Sequence, residues 1–174
     1  ASYPRRPGDT LAQADAARVA LPICMELLRH GEADALITAS PHELVHGLAA
    51  QHLPRLPGSP ALAAAAVFPT MSRGAGHDPL ALLLDVSGQR TQTAEDLVAF
   101  AVLGSTYARV VTGVAEPTVA LLSTGMQPED GPPEVVAAHA MLRQMKGLRF
   151  VGNVRATDLS RGFADVVVAD GLLG

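Results

Sequence analysis

Apolar runs of strand length constrain the fold of this chain more than any other feature. Ala61–Phe68 and Leu80–Val86 are such runs, with Asp85 as the only polar interruption. Strands without polar alternation belong to sheets that are covered on both faces. The sequence therefore predicts both as central strands, and it adds two more apolar strands at Val119–Ser123 and Ala164–Ala169, the latter also interior.

Helical segments alternate with these strands. The spacing predicts short strands and helices at the following positions: helix Val19–His30 with Pro22 in its first turn and Gly31 as its stop, strand Ala35–Thr38, helix Glu43–His52, a helix from the capping box Thr93-Ala-Glu-Asp96 to about Thr112 with apolar residues all round, helix Glu134–Met145 and strand Arg149–Val151. Alternating strands and helices predict an α/β fold with a doubly wound, mainly parallel sheet. We expect a single domain over residues 1–174.

Composition excludes several classes of protein. The net charge is −4 and only 3% of residues are aromatic, so the chain lacks the basic and stacking surfaces that bind nucleic acid. No apolar run reaches the ~20 residues of a membrane-spanning helix. Cys24 is the only cysteine, which excludes an internal disulfide, suits a small core residue and favours a cytoplasmic location.

Three stretches, in the same order, resemble the PlsX family of phosphate acyltransferases. They are Glu26-Leu-Leu-Arg-His-Gly-Glu-Ala-Asp-Ala, Thr93-Ala-Glu-Asp-Leu-Val-Ala-Phe-Ala-Val-Leu-Gly-Ser105, and Phe150-Val-Gly-Asn-Val followed by Asp165-Val-Val-Val-Ala-Asp-Gly171. The resemblance implies a fold like that of isopropylmalate dehydrogenases and phosphotransacetylases. It implies transfer of an acyl group from acyl carrier protein to inorganic phosphate, without a cofactor. It further implies a homodimer and a peripheral, reversible membrane association, and this chain is expected to be a central, incomplete part of that fold.

The loops after the strands carry the expected chemistry, since ligands of open α/β sheets bind beyond the carboxyl ends of strands. Three of these loops depart from the family pattern. The family's Gly-Asn-Thr-Gly is replaced by Ser40-Pro41-His42-Glu43, and its Gly-Ala-Asn-Val-Asp is replaced by Ser87-Gly88-Gln89-Arg90-Thr91. In the third loop, Met126-Gln127-Pro128-Glu129-Asp130-Gly131, an acidic residue precedes the glycine where the family has a lysine. The Asn153 loop and the Asp170-Gly171 turn match. We therefore expect this chain to catalyse the reaction feebly or not at all.

The resemblance, together with the chemistry of the altered loops, gives seven candidate residues. Asp170 and His42 are the catalytic candidates, and the phosphate-binding candidates are Ser40, Asp85, Arg90, Asn153 and Gly171. Each has a structural alternative, because carboxylates and asparagines at strand ends also cap helices and form turns. Three basic residues near one helix end, Arg143, Lys146 and Arg149, form a candidate patch for the acidic carrier protein.

Two other functions compete with acyl transfer. A non-catalytic scaffold that only binds the carrier protein fits the altered loops. A zinc-dependent hydrolase fits His42-Glu43-Leu44-Val45-His46, an H-E-x-x-H match in which His52 occupies the third ligand position of the longer metzincin pattern. That pattern needs glycine where this chain has Ala49, and an unbroken helix rotates His52 about 80° away from His42.

We predict that the protein holds no stoichiometric zinc, because Ala49 favours a continuous helix that separates the third histidine from the pair. Elemental analysis of protein purified without chelator measures the zinc content. His46→Ala serves as the comparison. One zinc per chain, lost in that variant, would contradict the prediction and favour the hydrolase.

Overall fold

The structure is a computed structural model that describes residues 9–55, 62–71, 79–87 and 92–171, with side chains in the first helix described from residue 18. The chain divides into two compact units, Ala1–Leu56 and Pro57–Gly174. The first contains two helices, and the second contains the sheet and the helices that cover it. That the whole chain forms one domain stays a prediction.

Helix α1 (Asp9–Arg29) begins well before the predicted start at Val19. Pro22 consequently lies inside the helix. The prediction that it stands in the first turn is wrong. A proline inside a helix removes one backbone hydrogen bond, and the alanine- and leucine-rich segments on both sides supply enough helix propensity to continue through it. The predicted stop is confirmed: Gly31 adopts a φ of 71°, and its N–H donates to the Leu28 carbonyl at 3.1 Å.

The predicted strand Ala35–Thr38 is wrong. These residues form neither helix nor strand, and the side chain of Ile37 is 98% exposed. A strand exists only when a neighbour accepts its backbone hydrogen bonds, and the described residues of this unit contain no other strand. Helix α2 (His42–His52) follows and confirms the predicted helix Glu43–His52, including its passage through Ala49.

The second unit contains a five-stranded sheet. Its elements in chain order are β1 (Ala65–Pro69), β2 (Leu80–Leu84), α3 (Ala94–Thr112), β3 (Thr118–Ser123), α4 (Pro133–Gln144), β4 (Arg149–Arg155), a 3-10 helix (Ala156–Arg161) and β5 (Val166–Val168). The strand order is β1-β2-β5-β3-β4, with every pairing parallel except β1 with β2. This confirms the predicted mainly parallel α/β sheet.

The direction of the crossovers explains the double winding. The chain moves from β2 to β3 through α3 and from β3 to β4 through α4, in the same direction across the sheet. It then reverses from β4 to β5 through the 3-10 helix. Because parallel crossovers are right-handed, the reversal places the 3-10 helix on the face opposite α3 and α4.

Strand β1 corrects the prediction that Ala61–Phe68 is central. It lies at the edge of the sheet and pairs only with β2, so its side chains alternate in burial and Val67 is 59% exposed. The strand also ends at Pro69, whose nitrogen has no hydrogen to donate to a second neighbour. The interior positions predicted for Leu80–Val86 and Ala164–Ala169 are confirmed by β2 and β5.

Strand β4 is longer than the predicted Arg149–Val151 and includes Asn153, which the prediction placed in a loop. The Gly-Asn pair is typical of a turn, but here Gly152 takes a φ of 103° at an irregularity in the pairing with β3. Val119 pairs with Phe150 and Ala120 pairs with Gly152, so one residue of β4 is extra. The strand bulges at this point and then continues.

Helix α3 covers one face of the sheet together with α4. The capping box predicted at its start is confirmed, since the Thr93 hydroxyl accepts from Asp96 N–H and the Asp96 carboxylate accepts from Thr93 N–H. The prediction that α3 is buried on all sides is wrong. Leu97 and Phe100 face the core, whereas the outward positions Val102, Tyr107, Val110 and Val111 are exposed. None of the helices in the described residues is both long and apolar enough to cross a bilayer.

The two faces of the sheet form separate apolar clusters. The first contains residues from both helices and alternate strand positions: Leu82, Leu84, Leu97, Val98, Phe100, Ala101, Ala108, Val119, Leu121, Val135, Ala138, Leu142, Val166 and Val168. The second contains mainly small residues of the opposite face, against which Leu159 of the 3-10 helix packs. Large side chains such as Phe100 and Leu97 each contribute about 1.5–3 kcal/mol by burial.

We predict that Gly104→Ala destabilises the protein by about 1–3 kcal/mol, because a methyl group there has no room. A Cβ atom on Gly104 would lie 2.5 Å from Leu84 Cδ1 and 2.6 Å from Val166 Cγ1. Urea unfolding measures the loss. Gly47→Ala in α2 is the control, because a Cβ there meets nothing within 4 Å and helix propensity should raise stability by up to about 1 kcal/mol. Equal effects of the two variants would contradict the packing argument.

We predict a pH-dependent link between α1 and α2. Glu26 accepts hydrogen bonds from Arg29 and from His52 Nδ1 at 2.8 Å, and these lower the pKa of Glu26 from 4.5 to about 2. A carboxyl whose pKa is lowered by folding stabilises the folded protein at pH values above its ordinary pKa of 4.5. That stabilisation is lost as the pH falls towards about 2. The melting temperature should therefore fall less steeply between about pH 5 and pH 2 in Glu26→Gln than in the unmodified protein. Glu32→Gln, at an exposed site, should follow the unmodified protein, and identical profiles for all three would contradict the link.

Candidate functional site

The carboxyl ends of β2, β5, β3 and β4 lie along one edge of the sheet because these strands are parallel. Leu84 pairs with Val168, and Val168 pairs with Leu121. Continuing this register by two residues places Asp170 level with Ser123. This carboxyl edge is where an open α/β sheet binds its ligands.

Asp85 directly follows β2 and is a fully buried carboxylate. Its Oδ1 accepts from Ala64 N–H at 2.8 Å and from Ser87 N–H at 2.9 Å. Its Oδ2 accepts from the Ser87 hydroxyl at 2.6 Å and from Gln92 Nε2 at 2.9 Å. The four hydrogen bonds are what keep a charge tolerable in the interior. They also show what Asp85 does here: it holds the segments on both sides of β2 at the carboxyl edge, while its predicted contact with phosphate stays a prediction.

The Asp170-Gly171 turn follows β5 at the centre of the edge. Asp170 is half-buried and Gly171 is buried. The Gly171 N–H donates to Gln92 Oε1 at 3.3 Å, so the Gln92 amide connects the turn to Asp85. Sequence reasoning missed Gln92. The available signal was its position directly before the Thr93 cap, between a strand end and a helix start, where a side chain faces the carboxyl edge.

Asn153 lies inside β4 and is buried. Its Nδ2 donates to the Gln127 carbonyl at 2.7 Å, and its Oδ1 lies 2.8 Å from His139 Nδ1. With Nδ2 committed to a carbonyl, Oδ1 must accept, so the hydrogen resides on His139 Nδ1. His139 itself is buried on α4, edge-on to Phe150 with ring centroids 5.1 Å apart. Asn153 therefore joins β4, α4 and the loop after β3.

The loop after β3 folds back on itself. The buried Ser123 hydroxyl donates to the Asp130 carbonyl at 2.6 Å, and Asp130 Oδ2 accepts from Gln127 N–H at 2.8 Å. A Cβ on Gly131 would lie 2.6 Å from Ser123 Oγ, so this residue must be glycine for the loop to close. The acidic residue that replaces the family's cation is thus held within its own loop.

Two arginines that share one buried aspartate, Arg155 at the end of β4 and Arg161 at the end of the 3-10 helix, escaped the sequence analysis. Arg155, which pairs with Ser123 across the strands, bonds Asp158 Oδ2 through Nε at 2.7 Å, and Arg161 Nη1 lies 3.0 Å from Asp158 Oδ1. Asp158 is buried, whereas both arginine side chains are about half exposed or more. Two guanidinium groups against one carboxylate leave net positive charge and further N–H donors, and Arg155 brings part of that charge to the carboxyl end of β4.

Ser40 and His42 belong to the first unit. The Thr38 hydroxyl donates to Ser40 Oγ at 2.9 Å, and Pro41 precedes α2 without a side-chain cap. His42 is exposed in the first turn of α2, next to the exposed Glu43. The other candidates, Asp85, Asn153, Asp170 and Gly171, belong to the second unit. Arg90 lies outside the described residues, as do its neighbours 88, 89 and 91.

The H-E-x-x-H histidines lie on one face of α2, with the ring centroids of His42 and His46 5.8 Å apart. The helix continues unbroken to His52, whose Nδ1 lies 2.8 Å from Glu26 Oε1. Among the side chains that the structure describes, no three His, Cys, Asp or Glu groups converge in a way that would hold a metal ion. The carrier-protein candidates Arg143, Lys146 and Arg149 are all exposed near the end of α4.

Known proteins resemble this chain over most of its length. The family described as "Fatty acid synthesis protein" matches residues 9–174. A phosphate acyltransferase of Nostoc punctiforme is 35% identical over 157 residues, which are 90% of this chain and 45% of that protein. Phosphate acyltransferases of Lactococcus lactis subsp. lactis and Synechococcus elongatus are 40% and 36% identical, over 84% and 95% of this chain.

The chain spans about half the length of the curated relatives it matches: 43% of the Lactococcus protein and 49% of the Synechococcus protein. The family match nevertheless runs from α1 to the turn after β5 and includes every described strand. The chain belongs to the fatty acid synthesis protein (PlsX) family, whose curated relatives are phosphate acyltransferases.

Proposed function

We propose that the protein is a phosphate acyltransferase of phospholipid synthesis, transferring an acyl group from acyl carrier protein to inorganic phosphate. The observation that carries this proposal is the similarity to phosphate acyltransferases over 84–95% of the chain in the three relatives above. The geometry supports it, because the Asp170-Gly171 turn stands at the centre of the carboxyl edge, where such a sheet binds ligands.

The proposed reaction is an acyl transfer between a thioester and phosphate. A phosphate oxygen attacks the thioester carbonyl carbon, the carbon–sulfur bond breaks, and the sulfur leaves as a thiolate that takes up a proton. The products are acyl phosphate and the free thiol of the carrier protein. The protein must hold an anion next to the carbonyl and stabilise the oxyanion that develops there.

The roles follow from residue chemistry. In this proposal Asp170 and the Gly171 backbone organise the reacting groups at the carboxyl edge, and His42, Arg90 and the Ser40 hydroxyl are the groups that hold phosphate. Asp85 and Asn153 maintain the carboxyl edge through their buried hydrogen bonds. Arg155 adds a cation at the end of β4 that the sequence analysis did not assign.

The altered loops make the proposed activity slow. Pro41 lacks the N–H that a phosphate would accept at the start of α2, and the exposed Glu43 in the first turn repels an anion. The loop after β3 presents Glu129 and Asp130 in place of a cation. The protein would therefore bind phosphate weakly, and turnover would be low even with the carboxyl edge intact.

The proposal includes partners and location. Acyl carrier protein and inorganic phosphate are the substrates, and the exposed Arg143, Lys146 and Arg149 would face the acidic carrier. A homodimer, a cytoplasmic location and a reversible, peripheral membrane association complete it. No cofactor takes part in this chemistry.

We predict slow formation of acyl phosphate, measured by trapping with hydroxylamine in the presence of acyl carrier protein thioester and phosphate. Asp170→Asn should lower the rate on the order of a hundredfold, as expected for a residue at the reacting groups. The control is Asp165→Asn at the opposite end of the same strand, where the carboxylate accepts from Thr118 N–H at 2.7 Å and from its hydroxyl. Its turnover per folded molecule should stay unchanged.

Two results would contradict this proposal in different ways. Turnover as fast as that of the Lactococcus lactis relative would refute the argument that the altered loops slow the reaction. A flat trace from folded protein, with the relative active in the same assay, would refute the acyltransferase and favour the non-catalytic scaffold.

A further inference from the structure

The Gln92 side chain lies between Asp85, which follows β2, and the Asp170-Gly171 turn, which follows β5. Its Nε2 donates to Asp85 Oδ2 at 2.9 Å, and its Oε1 accepts from the Gly171 N–H at 3.3 Å. Gln92 therefore connects the end of β2 to the turn after β5.

The orientation of this amide is fixed by the chemistry of its partners. Asp85 presents a carboxylate whose other hydrogen bonds come from Ala64 and Ser87, all as donors. A carboxylate that accepts from every neighbour requires a donor from Gln92 as well, so Nε2 must face it. Oε1 then faces the turn, where it accepts the hydrogen bond from the Gly171 N–H.

The anchor at the far end of this link is rigid. Asp85 is fully buried, and its own N–H donates to the Ala169 carbonyl at 3.2 Å, while the Ala169 N–H donates back to the Leu84 carbonyl. The carboxylate is thus fixed by its backbone and by its side-chain bonds. A hydrogen bond from such an anchor constrains what it holds, because the anchor cannot follow its partner.

The group held at the near end is the peptide unit between Asp170 and Gly171. This unit is planar, so fixing the Gly171 N–H also fixes the direction of the Asp170 carbonyl and limits rotation after the Asp170 Cα. Gly171 is buried and Asp170 half-buried. The position of the Asp170 side chain relative to the edge consequently depends on this peptide.

We propose that Gln92 is a positioning residue, which transmits the rigidity of Asp85 to the Asp170-Gly171 turn and so keeps that turn in its reactive geometry. The inference rests on the proposed function, because that function defines which geometry of the turn is reactive. Its structural half, that Gln92 holds the turn, stands on the hydrogen bonds alone. Gln92 touches neither substrate in this proposal and acts only through Gly171.

The first test measures the turn without any substrate. Hydrogen exchange of the Gly171 amide is followed by NMR on protein carrying ¹⁵N-glycine. Gln92→Ala removes both bonds, and Gln92→Asn keeps the amide but shortens its reach by one methylene. Both should speed the exchange of Gly171 about tenfold or more relative to the unmodified protein, since a protecting hydrogen bond is lost.

Gln92→Glu gives a result that a merely space-filling side chain would not. A protonated carboxyl offers one donor and one acceptor, as the amide does, whereas the ionised form faces the Asp85 carboxylate with no donor. The neighbouring titratable groups are Asp85 beyond β2, Asp170 beside Gly171, and Asp96, which is bonded to Thr93. Like charge favours protonation of the introduced carboxyl, so its pKa rises. Protection of Gly171 should therefore return as pH falls through that raised value, and Gln92→Ala should show no such return.

The second test measures turnover in the hydroxylamine assay. Gln92→Ala should lower kcat on the order of tenfold to a hundredfold with little change in KM, as expected for lost positioning. Thr118→Val is the matched control, because it removes a 2.6 Å hydrogen bond to the buried Asp165 carboxylate at the opposite edge of the sheet. It should lower stability and leave kcat per folded molecule unchanged.

Each outcome decides a separate point. Unchanged exchange of Gly171 in Gln92→Ala overturns the inference. Faster exchange with a kcat equal to that of Thr118→Val also overturns it, because Gln92 is then only a stabilising contact. If the unmodified protein shows no turnover, the proposed function fails, and the exchange of Gly171 still decides whether Gln92 holds the turn.

Discussion

The sheet depends on the pairing of β5 on both sides. The strand order β1-β2-β5-β3-β4 makes two strand pairs, and in the described sheet β5 is the element that joins them. It comprises only Val166–Val168, yet all three side chains are buried. Because β5 comes last among these strands in the chain, β2 and β3 cannot complete their backbone hydrogen bonds until it inserts between them. The tight approach of Gly104 to Val166 belongs to the same requirement, since α3 must lie close over this strand.

Buried carboxylates secure β5 to its neighbours at both edges. At the amino edge, Asp165 accepts from the Thr118 N–H and hydroxyl, which ties β5 to β3. At the carboxyl edge, Asp85 is bonded through Gln92 to Gly171, which ties β2 to the turn after β5. The two ties differ in their consequence. The first lies where open α/β sheets bind no ligand, and the second lies where they do, so the same interaction is structural at one edge and organises a candidate site at the other.

The sequence could predict those parts of the fold that depend on local pattern. Leu80–Val86 and Ala164–Ala169 are interior strands because unbroken apolar runs need two covered faces, and the Thr93 capping box has its whole geometry within four residues. It could not predict partners. Ala35–Thr38 has the composition of a strand but no described neighbour in its unit, and Ala61–Phe68 is apolar yet pairs on one side only. The prediction of the candidate site missed Gln92 for the same reason, because this side chain is bonded to Gly171, which is distant in the chain.

The H-E-x-x-H segment shows the same limit in a motif rather than a strand. The spacing of His42 and His46 is a local property, and α2 brings them together on one face. A third ligand requires the chain to return, and α2 continues through Ala49 to His52 instead. There the histidine meets Glu26 of α1, whose pKa is lowered to about 2 by Arg29 and by His52 itself. His52 thereby connects the end of α2 to α1. The contact that a motif cannot specify therefore decides what the motif's third histidine does.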